Sequence, residues 1–280
     1  MKNGRKPEWL QKKVNPADQA RVQRLLEELR LNTVCRQALC PNISECFSCG
    51  QATFLIMGKI CTRHCSFCNV GKGAPLAVDS DEPARVAEAV VRLGLSHVVI
   101  TSPTRDDLPD GGASLYASSV EILRSKAPHT AIELLIPDFM GDQRSLALVA
   151  DMGPDIMAHN IETVPRLYHL RSGADYVRSL EVLRYCGSRN PAVRIKSGVM
   201  LGMGEGEAEL ALVFRDLLDA GCEYLSIGQY LAPSRRHFPV QEYIPPERFE
   251  LLRNVALDLG FSHVESGPYV RSSYHAALYS

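Results

Sequence analysis

Six short apolar runs recur along this chain of 280 residues: TFLIM (53–57), SHVVIT (96–101), AIELLI (131–136), DIMAH (155–159), VRIKSGVML (193–201) and EYLSIG (223–228). Segments of helical length and amphipathic pattern follow them, near 82–93, 113–126, 142–151, within 163–187, and near 207–220 and 246–259. Strand-sized runs alternating with helices predict βα units on a parallel sheet. No early Gly-rich dinucleotide loop is present, so an α/β fold with a barrel-like or incomplete barrel sheet suits the six units better than a doubly wound one. The expected organisation is one βα core over 51–260 with two extensions. Residues 1–50 carry a basic arm, a short helix after Asn15-Pro16-Ala17-Asp18 and a Cys-rich loop. Residues 261–280 form a C-terminal tail. The stretch from Leu31 to Gly50 has no clear period and reads as a loop organised by something other than a hydrophobic core.

In βα barrels the chemistry sits at the carboxyl ends of the strands. The polar clusters fall there: CTRHCSFC after the first run, TSPTRDDLPDGG after the second, HNIET after the fourth and GMGEG after the fifth. All would face one mouth. The charge balance, 31 basic against 32 acidic side chains, excludes a strongly basic nucleic-acid binder. No apolar run approaches the ~20 residues that cross a bilayer, and MKNGRKPEWLQKKV lacks the apolar stretch of a secretory signal. A cytoplasmic chain with no membrane or nucleic-acid partner is expected.

Of nine cysteines, seven lie between Cys35 and Cys68, while Cys186 and Cys222 stand alone on apolar faces and read as core. An odd number without an export signal points to metal or redox chemistry rather than disulfides. Cys61-x3-Cys65-x2-Cys68 places three thiolates on one tight loop, enough for three corners of a cubane iron–sulfur cluster, and leaves one iron free to chelate a small molecule. The competing reading is a structural zinc completed by His64, although paired C-x2-C knuckles would then be usual. The spacing Cys35-x4-Cys40-x5-Cys46 is a weaker signal; its nearness to the first triplet argues for a second cluster, with Cys49 surplus.

The order of these motifs carries a specific resemblance. C-x3-C-x-aromatic-C after the first strand resembles the radical S-adenosylmethionine enzymes. CRQALCPNISEC, CTRHCSFCNV, TSPTRDDLPDGGA, IELLIPDFMGD, HNIETVPRLY, RSGADYVRSL, IKSGVMLGMGE, IGQYLAPS and SGPYVRSSYHA together resemble the lipoyl synthases of that superfamily. The resemblance spans about residues 30–277 and implies a partial (β/α)6 TIM-type barrel. It implies a [4Fe-4S] cluster on Cys61, Cys65 and Cys68, whose open iron binds S-adenosylmethionine and yields a 5′-deoxyadenosyl radical. Phe67 would meet the adenine through its backbone. A second, auxiliary [4Fe-4S] cluster on Cys35, Cys40, Cys46 and Ser273 would be consumed as the sulfur source, with Ser272 the neighbour most easily confused with Ser273. Arg271 would anchor the tail.

The implied activity is insertion of two sulfurs, at C6 and C8, into an octanoyl chain on a lipoyl carrier domain. The carriers would be 2-oxoacid dehydrogenase E2 subunits or the glycine cleavage H protein, and the electron donor a ferredoxin or flavodoxin. Asn160, Glu162, Thr101 and Ser102 are candidate S-adenosylmethionine contacts; for Asn160 and Glu162 the plain alternative is a helix cap. Gly202 and Gly204 could admit the adenosine or form an ordinary turn. Arg105, Asp106 and Asp107 could form a structural ion network, and Lys196 would face inward if its strand has the expected register. Lys59 stands where the family commonly has an acidic residue, and Cys49 is not usual in it. A basic arm of Lys2, Arg5, Lys6, Lys12 and Lys13 could meet an acidic carrier. A zinc-stabilised binding module and a two-cluster electron carrier are the readings from other classes.

Overall fold

The computed structural model describes residues 7–10, 16–48, 51–274 and 276; the arm residues Lys2, Arg5, Lys6, Lys12 and Lys13, together with Cys49, lie outside the described residues. Seven strands form one sheet: β1 (Thr53–Leu55), β2 (His97–Thr101), β3 (Ala131–Leu135), β4 (Ile156–Ala158), β5 (Arg194–Leu201), β6 (Tyr224–Gln229) and β7 (His263–Gly267). Each pairs in parallel with the next in chain order, so every connection returns the chain to the same end for the adjacent strand, and the sheet's two edges are β1 and β7. Among the described residues no helix is long and apolar enough to cross a membrane.

The helices are α1 (Pro16–Glu28), α2 (Glu82–Leu93), α3 (Ala113–Lys126), α4 (Gln143–Asp151), α5 (Tyr176–Arg189), α6 (Glu207–Asp219) and α7 (Pro246–Leu259). Sequence dictates them locally. α2 buries Val86, Ala87, Ala89 and Val90 at helical spacing and ends at Gly94, whose φ of 65° suits a residue without Cβ. The Asp142 and Asp175 carboxylates cap α4 and α5 by accepting from the Ser145 and Arg178 amides at 2.9 and 2.8 Å.

Three expectations need correction. A seventh strand, His263–Gly267, lies inside the segment read as a tail. The helical stretch 163–187 divides into a 3-10 segment, Pro165–Leu170, and α5, because the turn through Gly173 (φ 73°) and the Asp175 cap restart the helix. The presumed loop at 31–50 contains two short helices, Val34–Gln37 and Ile43–Ser48, and buries Leu31, Cys35 and Phe47 in the main core. Hydrophobic packing therefore does organise it.

That N-terminal segment and the tail meet at the open seam of the sheet. The Leu55 amide donates to Asn32 O at 2.9 Å, and Thr33 forms a bridge with Phe54 on the free edge of β1. Asn42 donates to Tyr269 O at 2.7 Å, and the Tyr274 hydroxyl to Glu45 Oε1 at 3.0 Å. The segment carrying Cys35, Cys40 and Cys46 and the tail carrying Ser272 and Ser273 are thereby fixed to one edge of the sheet and to each other.

Candidate active site

The Cys61–Cys68 loop leaves β1 through Met57 and Gly58 and is framed by a two-stranded parallel ribbon, Ile60–Cys61 against Gly71–Lys72. It is pinned on several sides. The Thr62 amide donates to Thr104 O at 3.0 Å, the Ser66 amide to Leu170 O at 2.9 Å, and the Phe238 amide to Ser66 O at 2.9 Å. Asn69 donates to Gln37 O at 2.8 Å, tying this loop to the segment that carries Cys35 and Cys40. The centre of the loop is held most firmly. Arg63, 8 % exposed, donates to Asp106 at 2.7 and 2.9 Å and to Asp138 at 3.0 and 2.7 Å. Asp138 also accepts from Arg178 at 2.9 Å. Two charge-assisted forks on one guanidinium fix the loop against the exits of β2 and β3.

Cys61 and Glu162 lie close enough to Cys65 and Cys68 to shift both thiols. Burial pushes the Cys68 thiol up to about 11 and that of Cys65 upward, and negative charge on Cys61 and Glu162 adds to both shifts. Such thiols stay protonated near neutral pH unless a cation takes them as thiolates. Among the described residues no three His, Cys, Asp or Glu side chains converge as a single ion requires, and His64 is exposed. Thiols spread along a loop suit the separate corners of a cubane better than the common centre of a tetrahedral zinc. Phe67, half-buried, packs against the core beside them.

Opposite the loop, the chain leaving β4 turns through Glu162, whose φ is 66°. The turn is held to β5 by the Glu162 amide donating to Gly198 O and the Met200 amide to Glu162 O, both at 2.9 Å. Burial pushes the Glu162 carboxyl up, while Arg171 and the Asn160 amide oppose it. Asn160 donates to Glu162 at 3.1 Å and to the Ser272 hydroxyl at 2.6 Å. Its Oδ1 is buried and has no partner among the described residues, which leaves an acceptor for a ligand hydroxyl. Thr101 donates to Leu135 O at 2.8 Å, and Ser102 accepts from Tyr116 at 3.0 Å, so both hydroxyls already serve the scaffold.

The tail separates the two serines. Ser272 faces Asn160, whereas Ser273 lines a cavity of about 110 Å³ together with Cys35, Cys46, Thr53 and His97. Cys40 is not in that lining; it lies near Arg271, whose charge it favours. Burial pushes the Cys35 thiol up to about 11. The tail reaches this position by close backbone approach: a Cβ on Gly228 would overlap Val270 O, and one on Gly198 would stand 2.9 Å from Asn160 Oδ1.

Several candidates resolve as scaffold. Arg105, 2 % exposed, holds Asp107 through two bonds of 2.8 Å and the Met57 and Leu76 carbonyls at 3.1 and 3.0 Å, whereas Asp106, expected in the same ion network, pairs with Arg63 instead. A Cβ on Gly202 would overlap the Gln229 amide, so this glycine serves a turn. Cys186 and Cys222 are buried in the core. Lys196 does face inward, donating to Glu133 at 2.9 and 3.1 Å. Burial alone would raise Glu133, but Lys196 and His97 together hold it down as a carboxylate. Sequence reading missed Arg63, Asp138, Arg178, His97 and Glu133. The available signal was an arginine inside the cysteine motif and acids at the exits or interiors of apolar strands.

A profile of the radical SAM superfamily matches residues 55–229. The lipoyl synthase of Geotalea uraniireducens is 65 % identical over 279 residues, covering 100 % of this chain and 99 % of that one. The lipoyl synthase of Trichlorobacter lovleyi is 64 % identical over 281 residues, covering 100 % of both chains. Among solved structures, methylornithine synthase superposes with a TM-score of 0.57 at 14 % identity, over 75 % of this chain and 69 % of that one, which speaks for the fold alone. With full-length identity at this level, the chain belongs to the lipoyl synthase family of the radical SAM superfamily.

Proposed function

We propose that this enzyme inserts two sulfur atoms, at C6 and C8, into a protein-bound octanoyl chain. The observation that carries the reading is the placement of consecutive tail residues. Ser272 is bonded to Asn160 on the Cys61–Cys68 side, and Ser273 lines the cavity of Cys35 and Cys46. Neighbouring α-carbons are about 3.8 Å apart, so one short segment joins both sites, as a reaction that activates carbon at one and takes sulfur from the other requires.

An unactivated alkyl carbon offers no proton that a side chain could remove near neutral pH, so the bond must be broken by cofactor chemistry. Cys61, Cys65 and Cys68 would hold a [4Fe-4S] cluster, which together with S-adenosylmethionine would supply the 5′-deoxyadenosyl radical for that task. The protein's own contribution is placement and dryness. Arg63 holds the loop, Asn160 and Glu162 would offer acceptors to the nucleoside or methionine portion, and Phe67 would meet the adenine through its backbone. The tail and the 32–46 segment close the seam through which water would enter. Cys35, Cys40, Cys46 and Ser273 would hold the sulfur substrate, a second [4Fe-4S] cluster. Lipoyl carrier domains of E2 subunits or the H protein present the octanoyl chain, and a ferredoxin or flavodoxin supplies electrons.

The test is anaerobic incubation of reconstituted protein with a strong reductant, S-adenosylmethionine and an octanoyl-lysyl peptide, read by mass spectrometry. The expected product gains two sulfurs, with loss of two hydrogens in its cyclic disulfide form, alongside 5′-deoxyadenosine. Nucleoside without sulfur in the peptide would sink the substrate and sulfur-source assignment. A second expectation concerns the tail. Gly228→Ala should push Val270 and the following serines off the sheet, lowering bound iron toward that of a C35A/C40A/C46A variant and exposing the tail to limited proteolysis. Unchanged iron and unchanged protection would show that the tail does not need this close approach.

A further inference from the structure

His97 opens β2 and is 9 % exposed, yet its Nδ1 has no hydrogen-bond partner among the described residues. Its other ring nitrogen is fully used. Nε2 lies 3.3 Å from Glu133 Oε2, and Glu133 is in turn held by Lys196 at 2.9 and 3.1 Å. A carboxylate accepts and does not donate, so Nε2 carries the ring proton and Nδ1 carries the lone pair; this tautomer is assigned from the network. A buried, unpaired nitrogen lone pair is costly unless something occupies it. Its surroundings narrow the choice, because His97 lines the same cavity as Cys35, Cys46 and Ser273.

The arrangement has a general chemical meaning. Metal-binding histidines characteristically donate their second ring nitrogen to a carboxylate, which fixes the ring and raises the basicity of the ligating nitrogen. Imidazole suits iron, and it replaces thiolate on one iron of some iron–sulfur centres, making the cluster less negative and raising its potential. The Lys196–Glu133 pair supplies that support from within the barrel.

We propose that His97 Nδ1 is an iron ligand of this cavity, taken up when Ser273 is not on the metal. The inference rests on the reading of Cys35, Cys40 and Cys46 as cluster ligands. The bond forms from the lone pair of neutral imidazole: no electron changes hands, and Nε2 keeps its proton on Glu133. A site that gives up sulfur must tolerate changes in its iron coordination, and a second protein ligand beside Ser273 keeps the iron from being lost while the serine is away.

The test uses full-length C61A/C65A/C68A protein, so that only the cavity cluster is present, made with and without ¹⁵N-histidine. In this background S273A should retain its cluster, and the reduced state should show a strong, directly coordinated nitrogen coupling in pulsed electron paramagnetic resonance. That coupling should change isotope with the histidine label. S273A/H97Q, in which the glutamine amide can still donate to Glu133, should lose the coupling and one iron, read as a three-iron cluster. Circular dichroism and thermal melts of both variants check that each is folded. If S273A shows only the weak couplings of backbone nitrogens, unchanged by the label and by H97Q, the proposal is overturned. A parent background that takes up no iron at all overturns the reading of the three cysteines and the inference with it, and the two failures are thus distinct.

Discussion

Replacing Cys61, Cys65 and Cys68 together by alanine is expected to reduce S-adenosylmethionine cleavage to the level of a protein-free control, while iron for one cluster remains. Replacing Cys35, Cys40 and Cys46 is expected to do the converse: cleavage persists and sulfur transfer to the octanoyl chain disappears. The asymmetry follows from the geometry. The first loop is held by Thr104, Leu170, Phe238 and the Arg63 ion pairs, and Asn69 reaches the second region through one hydrogen bond to Gln37 O. Loss of the second triplet should therefore leave the first in place. The reverse also holds, because Cys35 and Cys46 are supported by the 31–48 helices, the edge of β1 and the tail. Each set of alanines removes only sulfur atoms from partly packed positions, at a cost of about 1 kcal/mol per buried site, so both variants should fold. Assays for 5′-deoxyadenosine and for peptide-bound sulfur, run on the same preparations with iron counted, check both halves. If the second variant still transferred sulfur, Cys35, Cys40 and Cys46 could not hold the sulfur substrate.

Much of this was legible because the chemistry and the periodicity are local. The helix over 113–126 and that over 246–259 emerge with the bounds expected from apolar spacing. The triplet on one loop announces itself by spacing alone. β7 did not, since HVESG offers one buried apolar residue, Val264, and three polar positions that a strand pattern does not distinguish from coil. The division of labour between Ser272 and Ser273 was equally hidden: the motif names both, but only Gly198 and Gly228, which let the tail lie on the sheet, decide which way each faces. The even spacing of Cys35, Cys40 and Cys46 likewise suggests three equal partners, whereas two line the cavity and Cys40 sits toward Arg271. Arg63 and Asp138 are separated by 75 residues, and no local pattern pairs them.

Arg63→Ala is expected to be the most damaging single substitution outside the cysteines. Asp138 is 1 % exposed and keeps only Arg178 among its two guanidinium partners once Arg63 is gone. Breaking a buried ion pair by removing one partner costs roughly 3–5 kcal/mol, and the surviving Arg178 contact places this case near the lower end, about 3 kcal/mol. The cysteine loop also loses its central anchor, and a displacement of about 1 Å at a reacting centre can cost on the order of a hundredfold in rate. Urea unfolding should show the first effect, and 5′-deoxyadenosine formation the second. A matched loss in Arg63→Lys would argue that the fork geometry, not charge alone, matters, because lysine cannot hold two carboxylates side by side. The pH dependence supplies a sign that packing loss would not reproduce. Burial would raise the Asp138 carboxyl, but Arg63 overrides it and holds the group well below its ordinary range. A depressed carboxylate stabilises the fold above its unfolded pKa of about 3.9 and surrenders that stability as pH falls below it. In Arg63→Ala the depression shrinks, so the stability gap between the two proteins, measured on cluster-free chains because acid strips the clusters, should narrow as pH falls from about 5 to about 3. A gap that stayed constant over that range would mean Arg63 acts through its packing and not through the Asp138 charge.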